Sequence, residues 1–240
     1  MNNMICLDKN FIAGLSDNFT AKLHRHPVLE IYSSCGCHSR VAVEDSIIEG
    51  PLIVVGPEVP HAIADVGKCG LAVFVDPLSE QGYSLKDNIL SDKQYKLIND
   101  SHIDAVVSSL SQNSTENEVH SAAAVVIEIL QSHIIQRPFS GSVIDAIELI
   151  ANEEECFDMT VLAEKINLSK SRLAHLFSEQ TGVTLKSYLQ FKRIERAFRQ
   201  MAYGHTITEA AYETGFSSSS HIASSSRKLT GMKLRELLNI

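Results

Sequence analysis

The stretch from Thr160 to Gly231 carries one pattern twice, and that recurrence limits the fold more than any other feature of the chain. The first copy reads TVLAEKINLSKSRLAHLFSEQTGV, the second TITEAAYETGFSSSSHIASSSRKLTGM. In each, a threonine suited to an N-cap (Thr160, Thr206) opens a short helix with a small alanine (Ala163, Ala211), and a turn leads into a longer helix. The turns are Ile166-Asn167-Leu168-Ser169 and Thr214-Gly215-Phe216-Ser217. Gly215 suits the positive φ of such a turn, while Leu168 and Phe216 plug the angle between the two helices. Thr206 and Glu209 form a capping box. This is a helix-turn-helix pattern in tandem, and a unit of this kind lays its second helix in the major groove of DNA.

On LAEKINLSKSRLAHLFSEQTGVTLKSYLQFKRIERA followed by ITEAAYETGFSSSSHI, the last third of the chain resembles the AraC/XylS family of bacterial transcription regulators. The resemblance implies two helix-turn-helix units joined by one long helix, here Leu185 to Met201. Docking of that kind puts the two reading helices in successive major-groove faces about 34 Å apart.

Charge agrees once it is divided. Residues 1–159 hold 9 Lys and Arg against 23 Asp and Glu, a net of −14, whereas residues 160–240 hold 12 against 6, a net of +6. The whole chain at −8 would argue against nucleic acid, but the segment with the motif is basic and attracts phosphate locally. No apolar run is long enough for a membrane span and the N-terminus lacks the form of a signal peptide, so a cytoplasmic location is expected. Five scattered cysteines (Cys6, Cys35, Cys37, Cys69, Cys156) fit reduced thiols rather than a disulfide framework; Cys35-Gly36-Cys37-His38 lacks the second pair of a metal or redox motif. No set of nucleophile, base and orienting group stands out, so an enzyme is not expected.

Up to Pro77 the chain reads as β-rich: Leu29–Tyr32, Arg40–Val43, Leu52–Val55 and Leu71–Val75 are short apolar segments between turn signals, which suggests a barrel or sandwich. Within it, His24 and His26 share a face of an extended segment, Glu30 falls on that face by period two, and His61 follows Pro60. This set is similar to the cupin pattern, which implies a small barrel whose His and Glu hold a divalent metal or line an effector pocket. Beyond Pro77, Ser79–Asp87 is polar, Asp92–Ile98 and Ile103–Leu110 read as helices with Ser91 as an N-cap, and Glu118–Gln136 reads as a longer helix. The apolar stripe of that helix, Val119, Ala122, Val126, Ile129 or Leu130, and Ile134, either covers the barrel or forms a homodimer contact. Arg137–Gly141 is the expected linker, and Ser142–Asn152 the first helix of the basic domain, with Val143, Ile147 and Ile150 buried. Glu153-Glu154-Glu155 is read as a solvated patch.

In the first motif Leu173, Leu176 and Phe177 face the core by helical spacing, which turns Lys170, Ser171, Arg172, Ala174, His175 and Glu179 outward. The resemblance implies that Ser171, Ala174 and His175 reach base edges, with Lys170 and Arg172 on phosphates. In the joining helix Leu185, Leu189, Ala197, Phe198 and Met201 are the expected core, Lys192, Arg196 and Arg199 form a basic stripe, and Glu195 can pair with Arg199. Arg193 completes the expected contacts there; Ser218, Ser219, Ser220, His221, Arg227 and Lys228 are those of the second motif. That motif departs from the family pattern: Ser224 stands where an Arg is usual, Ser226 where a core aromatic is usual, and Met232 replaces the usual Pro after Gly231. It is therefore expected to bind DNA more weakly than the first.

The sequence thus predicts an α+β chain: residues 1–136 a cupin-like β-barrel with trailing helices, 137–141 a linker, and 142–240 an all-α domain with helix-turn-helix motifs at 160–181 and 206–230. Its expected function is a regulator of transcription whose barrel senses a small effector and alters binding to double-stranded promoter DNA, with RNA polymerase as a partner if it activates and no membrane partner. A degenerate paralogue acting through protein contacts and a metal-binding cupin protein are the competing readings, and no cofactor is assigned beyond a divalent metal in the barrel.

Overall fold

A computed structural model describes residues 3–17, 20–63, 69–131, 136–152 and 158–234. The chain divides into two compact units, one made of Met1–Gln136 with Arg227–Ile240 and the other of Arg137–Ser226.

The first unit is built on two antiparallel sheets. Strands β1 (Asn3–Leu7), β2 (Phe11–Ser16), β4 (Leu29–Ser34), β7 (Leu52–Val55), β9 (Gly70–Val75) and β10 (Tyr95–Ile98) form a six-stranded sheet in the order β1-β2-β9-β4-β7-β10. Strands β3 (Ala21–His24), β5 (Ser39–Val43), β6 (Ser46–Gly50) and β8 (His61–Ile63) form a second in the order β3-β8-β5-β6. The large sheet is buried on both faces, so β4 and β7 are buried along their whole length, β7 being apolar throughout while β4 carries Glu30, Ser33 and Ser34 inside. Leu29, Ile31, Leu52, Val54, Leu71 and Val73 point outward under helices, whereas Tyr32, Ile53, Val55 and Ala72 point inward with Val41, Val43 and Ile63 of the small sheet.

Helices α1 (Glu80–Leu90), α2 (Ser101–Ser108) and α3 (Glu116–Leu130) cover the outer face. The stripe of α3 is spent on this cover: Val119, Ala122, Ala123, Val126, Ile127 and Leu130 are buried against the sheet, leaving Val125 and Ile129 as its exposed apolar residues. Ile134 lies outside the described residues. The polar segment Ser79–Asp87, given no secondary structure by the sequence, is largely helix α1, capped by Ser79, whose hydroxyl accepts from the Gly82 N–H at 2.9 Å; a Cβ at Gly82 would overlap the Asp76 carbonyl, so glycine lets the helix start close to the preceding strand. Two expectations need correction. Asp92–Ile98 is not a helix, because Tyr95–Ile98 pairs with the open edge of β7, whose backbone groups would otherwise lack partners. Ser91, expected to cap that helix, instead ends α1.

The second unit holds α4 (Gly141–Asn152), α5 (Met159–Lys165), α6 (Lys170–Thr181), α7 (Leu185–Ala202), α8 (Ile207–Glu213) and most of α9 (Ser219–Thr230). Val143, Ala146, Ile147 and Ile150 of α4 are buried, as the spacing predicts. Along α7 the core row is wider than expected: Leu185, Ala197 and Phe198 are joined by Tyr188, Phe191 and Ile194, while Leu189 and Met201 are only partly buried. The Phe177 ring of α6 packs on Tyr188 with centroids 5.6 Å apart. The α5 helix begins two residues earlier than expected, because Asp158, not Thr160, caps it, its carboxylate accepting from the Thr160 N–H at 2.6 Å. Glu153-Glu154-Glu155 and Cys156 lie outside the described residues.

Candidate functional sites

His24, His26, Glu30 and His61 converge in the first unit and are buried, each at most 7% exposed. The convergence arises differently from the single extended face that period two suggests. His24 ends β3 in the small sheet and is in register with His61 of β8, whereas Glu30 projects from β4 of the large sheet. The residues between β3 and β4 carry the chain across, with His26 in that crossing. Two facing sheets, not one strand, bring the four together.

Glu30 Oε2 lies 2.7 Å from His61 Nε2, 3.0 Å from His26 Nε2 and 3.9 Å from His24 Nε2. Each ring is also held from behind by a backbone carbonyl, His24 Nδ1 by Lys22 at 2.8 Å, His26 Nδ1 by Val28 at 3.1 Å and His61 Nδ1 by Val59 at 2.8 Å. Burial raises the Glu30 carboxyl, but hydrogen bonds from His26 and His61 outweigh it and hold the group well below the usual carboxylate range. Burial lowers His24 to about 4, whereas at His61 the Glu30 carboxylate outweighs burial and raises the imidazole. The four donor atoms lie within 4.8 Å of one another, a set able to hold one metal ion.

Elsewhere in this unit, the Cys35 thiol sits 2.8 Å from the Cys69 sulfur, with the Cys35 N–H donating to the Cys69 carbonyl at 2.9 Å. Both are free thiols, and Cys37 is exposed two residues on.

In the second unit, the two helix-turn-helix turns share a device. Asn167 (φ 58°) and Gly215 (φ 71°) occupy the same place in the two turns and both adopt the left-handed conformation. Asparagine is among the few non-glycine residues that visit this region routinely. Ser169 caps α6, and Thr206 with Glu209 forms the expected capping box on α8. On α6, Leu173 and Phe177 are buried, Leu176 and Ala174 partly so, and Lys170, Ser171, Arg172, His175 and Glu179 are exposed. His175 Nδ1 lies 3.7 Å from Glu179 Oε2. The basic stripe of α7 is interrupted from within: buried Glu195 holds Lys192 at 2.6 Å and Arg199 at 2.8 Å. The guanidinium of Arg193 lies over the Phe216 ring, 5.8 Å from its centroid.

On α9 and the turn before it, Ser218, Ser220, His221, Arg227 and Lys228 are exposed and Ser219 partly so. The His221 ring is engaged at its own helix start, with Nδ1 3.0 Å from the Ser217 hydroxyl and its edge against Phe216.

A family model described as a helix-turn-helix domain matches residues 162–240. An uncharacterized HTH-type transcriptional regulator of Staphylococcus aureus (strain MSSA476) is 35% identical over 91 residues, 38% of this chain and 12% of that protein. YbfI of Bacillus subtilis (strain 168), another uncharacterized HTH-type transcriptional regulator, is 38% identical over 61 residues, 25% of this chain and 22% of that one. The chain therefore spans only about an eighth of the length of the first of these relatives. Among solved structures, ToxT from Vibrio cholerae superposes with a TM-score of 0.60 over 96% of this chain and 98% of its own at 14% identity. The C-terminal third of the chain is thus similar to a helix-turn-helix domain. The likeness to ToxT shows the fold, a sheet-rich first part followed by a helical second.

Within this helix-turn-helix region the departures of α9 have structural weight. Ser226 is fully buried, so the position usual for a core aromatic is a core position here too, filled by a much smaller side chain. Ser224 is exposed, where an Arg could reach outward. Sequence reasoning missed the role of the end of this domain. Among the described residues, those from Arg227 to Leu234 group with the first unit, and Met232 is buried in its inner core with Ala21, Tyr32 and Ile63. The available signal was Met232 itself, an apolar residue where the family pattern has proline. Among the described residues no helix is long and apolar enough to cross a membrane.

Proposed function

We propose that this chain is a DNA-binding transcriptional regulator whose N-terminal barrel binds a small effector and thereby sets how the helix-turn-helix pair engages promoter DNA. The observation that carries the reading is α6: one face is anchored by Leu173 and Phe177, and the opposite face offers Lys170, Ser171, Arg172 and His175 from a capped helix. Lys170 and Arg172 are suited to phosphates, Ser171, Ala174 and His175 to base edges. The second motif contributes less, since α9 presents serines and a His221 already bonded to Ser217.

Small-effector control is supported by the presence of a separate sheet-built unit. One ToxT structure is described as bound to an unsaturated fatty acid. At 12% identity that ligand does not transfer, and the effector class has to be read from this chain's own residues.

The test is fluorescence anisotropy of the full chain with its own upstream DNA and a scrambled duplex, over a salt series. A preference of about 10³ or more for the upstream site is expected. Equal and steeply salt-dependent binding to both would leave phosphate attraction alone and overturn the reading.

A further inference from the structure

In the sequence, the run Cys35-Gly36-Cys37-His38 has no second pair of ligands or thiols near it. The large sheet supplies Cys35 with a partner. The ladder between β4 and β9 keeps a constant register, with Leu29 opposite Val75 and Ser34 opposite Gly70, and one further step sets Cys35 opposite Cys69. The Cys35 N–H donates to the Cys69 carbonyl at 2.9 Å, so the pairing continues to that step. Directly opposite residues of antiparallel strands share a face, and a hydrogen-bonded pair has its Cα atoms about 5.5 Å apart, within the roughly 4.4 to 6.8 Å that a disulfide spans. The shared face is the one under the helices, where Cys69 is buried in the core and Cys35 packs against it partly buried. Both are free thiols with their sulfurs 2.8 Å apart. Bringing those sulfurs to the bond length of about 2.05 Å takes less than about 1 Å of movement, which side-chain rotation supplies without sliding the strands.

The two sulfurs differ in role. The Cys35 S–H donates to the Cys69 sulfur. That bond lowers the Cys69 thiol in spite of burial, whereas giving the bond, together with burial, raises Cys35. At Cys6, in the same core, burial prevails and pushes the thiol up to about 11. Among the described residues no third Cys, His, Asp or Glu side chain converges on the pair, so it lacks the ligands of a metal site and is equipped for dithiol chemistry instead.

We propose that Cys35 and Cys69 form a reversible dithiol site for hydroperoxides, in which Cys69 is the attacking sulfur and Cys35 the resolving one. The site rests on the geometry of the first unit and not on the reading of the chain as a DNA-binding regulator. Access selects the oxidant. Cys69 is only 5% exposed, which suits the small terminal oxygen of a hydroperoxide, whereas a bulky organic disulfide meets the exposed Cys37 first.

The steps balance with hydrogen peroxide as the oxidant. The Cys69 thiolate attacks one peroxide oxygen, the O–O bond breaks, and Cys69 becomes a sulfenic acid while hydroxide leaves. That hydroxide takes the Cys35 thiol proton and departs as water. The Cys35 thiolate then attacks the Cys69 sulfur; the S–S bond forms, the S–OH bond breaks, and the second hydroxide takes up the proton that Cys69 released on ionising. Two thiols are oxidised to one disulfide, and one peroxide is reduced to two waters. Since the two strands are already paired at this step of the ladder, the cross-link joins neighbours and the sheet accepts both redox states. An external dithiol reverses it by exchange.

The experiment treats the reduced full chain with hydrogen peroxide, blocks remaining thiols with N-ethylmaleimide, and maps the peptides by mass, with dimedone present in parallel samples to trap sulfenic acid. Variants are Cys35→Ser, Cys69→Ser and Cys37→Ser, each checked for folding by circular dichroism. The parent chain should yield a Cys35–Cys69 disulfide that dithiothreitol opens again, with an unchanged circular dichroism spectrum in both states. Cys35→Ser, which keeps the attacking sulfur and removes the resolving one, should accumulate the dimedone adduct at Cys69. In Cys69→Ser the adduct at Cys35 should form at least about tenfold more slowly, because that thiol must first lose its proton. Cys37→Ser should form the disulfide at the parental rate. If Cys69→Ser does not fold, the parent chain and Cys35→Ser decide. A parent chain in which peroxide yields no Cys35–Cys69 disulfide overturns the site. Trapping at Cys35 at least as fast as at Cys69 overturns the assignment of roles, and loss of the disulfide in Cys37→Ser overturns direct attack by Cys69, making the exposed thiol the point of entry.

Discussion

Salt dependence of DNA binding offers a quantitative test of which cations touch phosphate. By sequence, Lys170, Arg172, Lys192, Arg196 and Arg199 are all eligible. The structure separates them: Lys170 and Arg172 are exposed on α6, but Lys192 and Arg199 are held by buried Glu195 at 2.6 Å and 2.8 Å. Each phosphate neutralised on duplex DNA adds about −0.9 to the slope of log affinity against log salt. Replacing Lys170 and Arg172 together by alanine should therefore make the slope shallower by about 1.8. Over a fourfold rise in salt, from about 50 to about 200 mM, the double variant should lose about twelvefold less affinity than the parent. Lys192→Ala should leave the slope near the parent value, because that ammonium is already neutralised by its partner. Anisotropy titrations at several salt concentrations read both numbers. A parental slope in the Lys170/Arg172 double variant, or a drop of about one in Lys192→Ala, would refute the assignment.

Glu195 should carry stability as well as order. Burial would raise its carboxyl, but Lys192 and Arg199 outweigh burial and lower it. A lowered folded value means that the contribution is complete above the unfolded carboxylate range and fades as pH falls through the folded value. Glu195→Gln, which leaves two cations around a neutral group, should lose on the order of 3 kcal/mol at neutral pH by denaturant unfolding, with the gap narrowing in acid; a gap that widens in acid would contradict the sign. At the helix starts, Thr206→Ala should cost about 1 kcal/mol through the lost capping box, and Asp158→Ala should lower the melting temperature where Thr160→Ala does not. Equal effects at 158 and 160 would restore Thr160 as the cap. Diamide, which takes two electrons and two protons from a thiol pair, should join Cys35 to Cys69 first, given 2.8 Å between their sulfurs. Cys6 should stay reduced, since burial pushes its thiol up to about 11. Peptide mass mapping that finds Cys6 oxidised ahead of Cys35 and Cys69 would contradict both.

Elements governed by near neighbours in the chain were the legible ones. The strands Leu52–Val55 and Leu71–Val75, the buried row of α4, the capping box at Thr206 and the positive φ of Gly215 all follow from spacing, side-chain shape or a local hydrogen bond. Errors occurred where distant partners competed with local preference. Tyr95–Ile98 has an acceptable helical reading, but the edge of β7, distant in sequence, presents unpaired backbone groups that this segment satisfies only as a strand. At α5 the choice between two cap residues two positions apart turned on which oxygen reached the Thr160 N–H.

The candidate site divides the same way. Sequence alone determined that residues 160–230 carry a tandem helix-turn-helix pattern, because a 3.6-residue period, a turn residue and a cap are each written within a few positions of one another. It also supplied the four residues His24, His26, Glu30 and His61 as a set. Only the tertiary structure decided that they come from two facing sheets, that carbonyls of Lys22, Val28 and Val59 fix their tautomers, and that Glu30 and His24 keep buried atoms with no partner. It alone brought Gly231 against His24 and sank Met232 into the barrel. Those contacts join residues about 200 positions apart, where no local period or propensity acts and only packing and the need to satisfy buried polar groups select the partner.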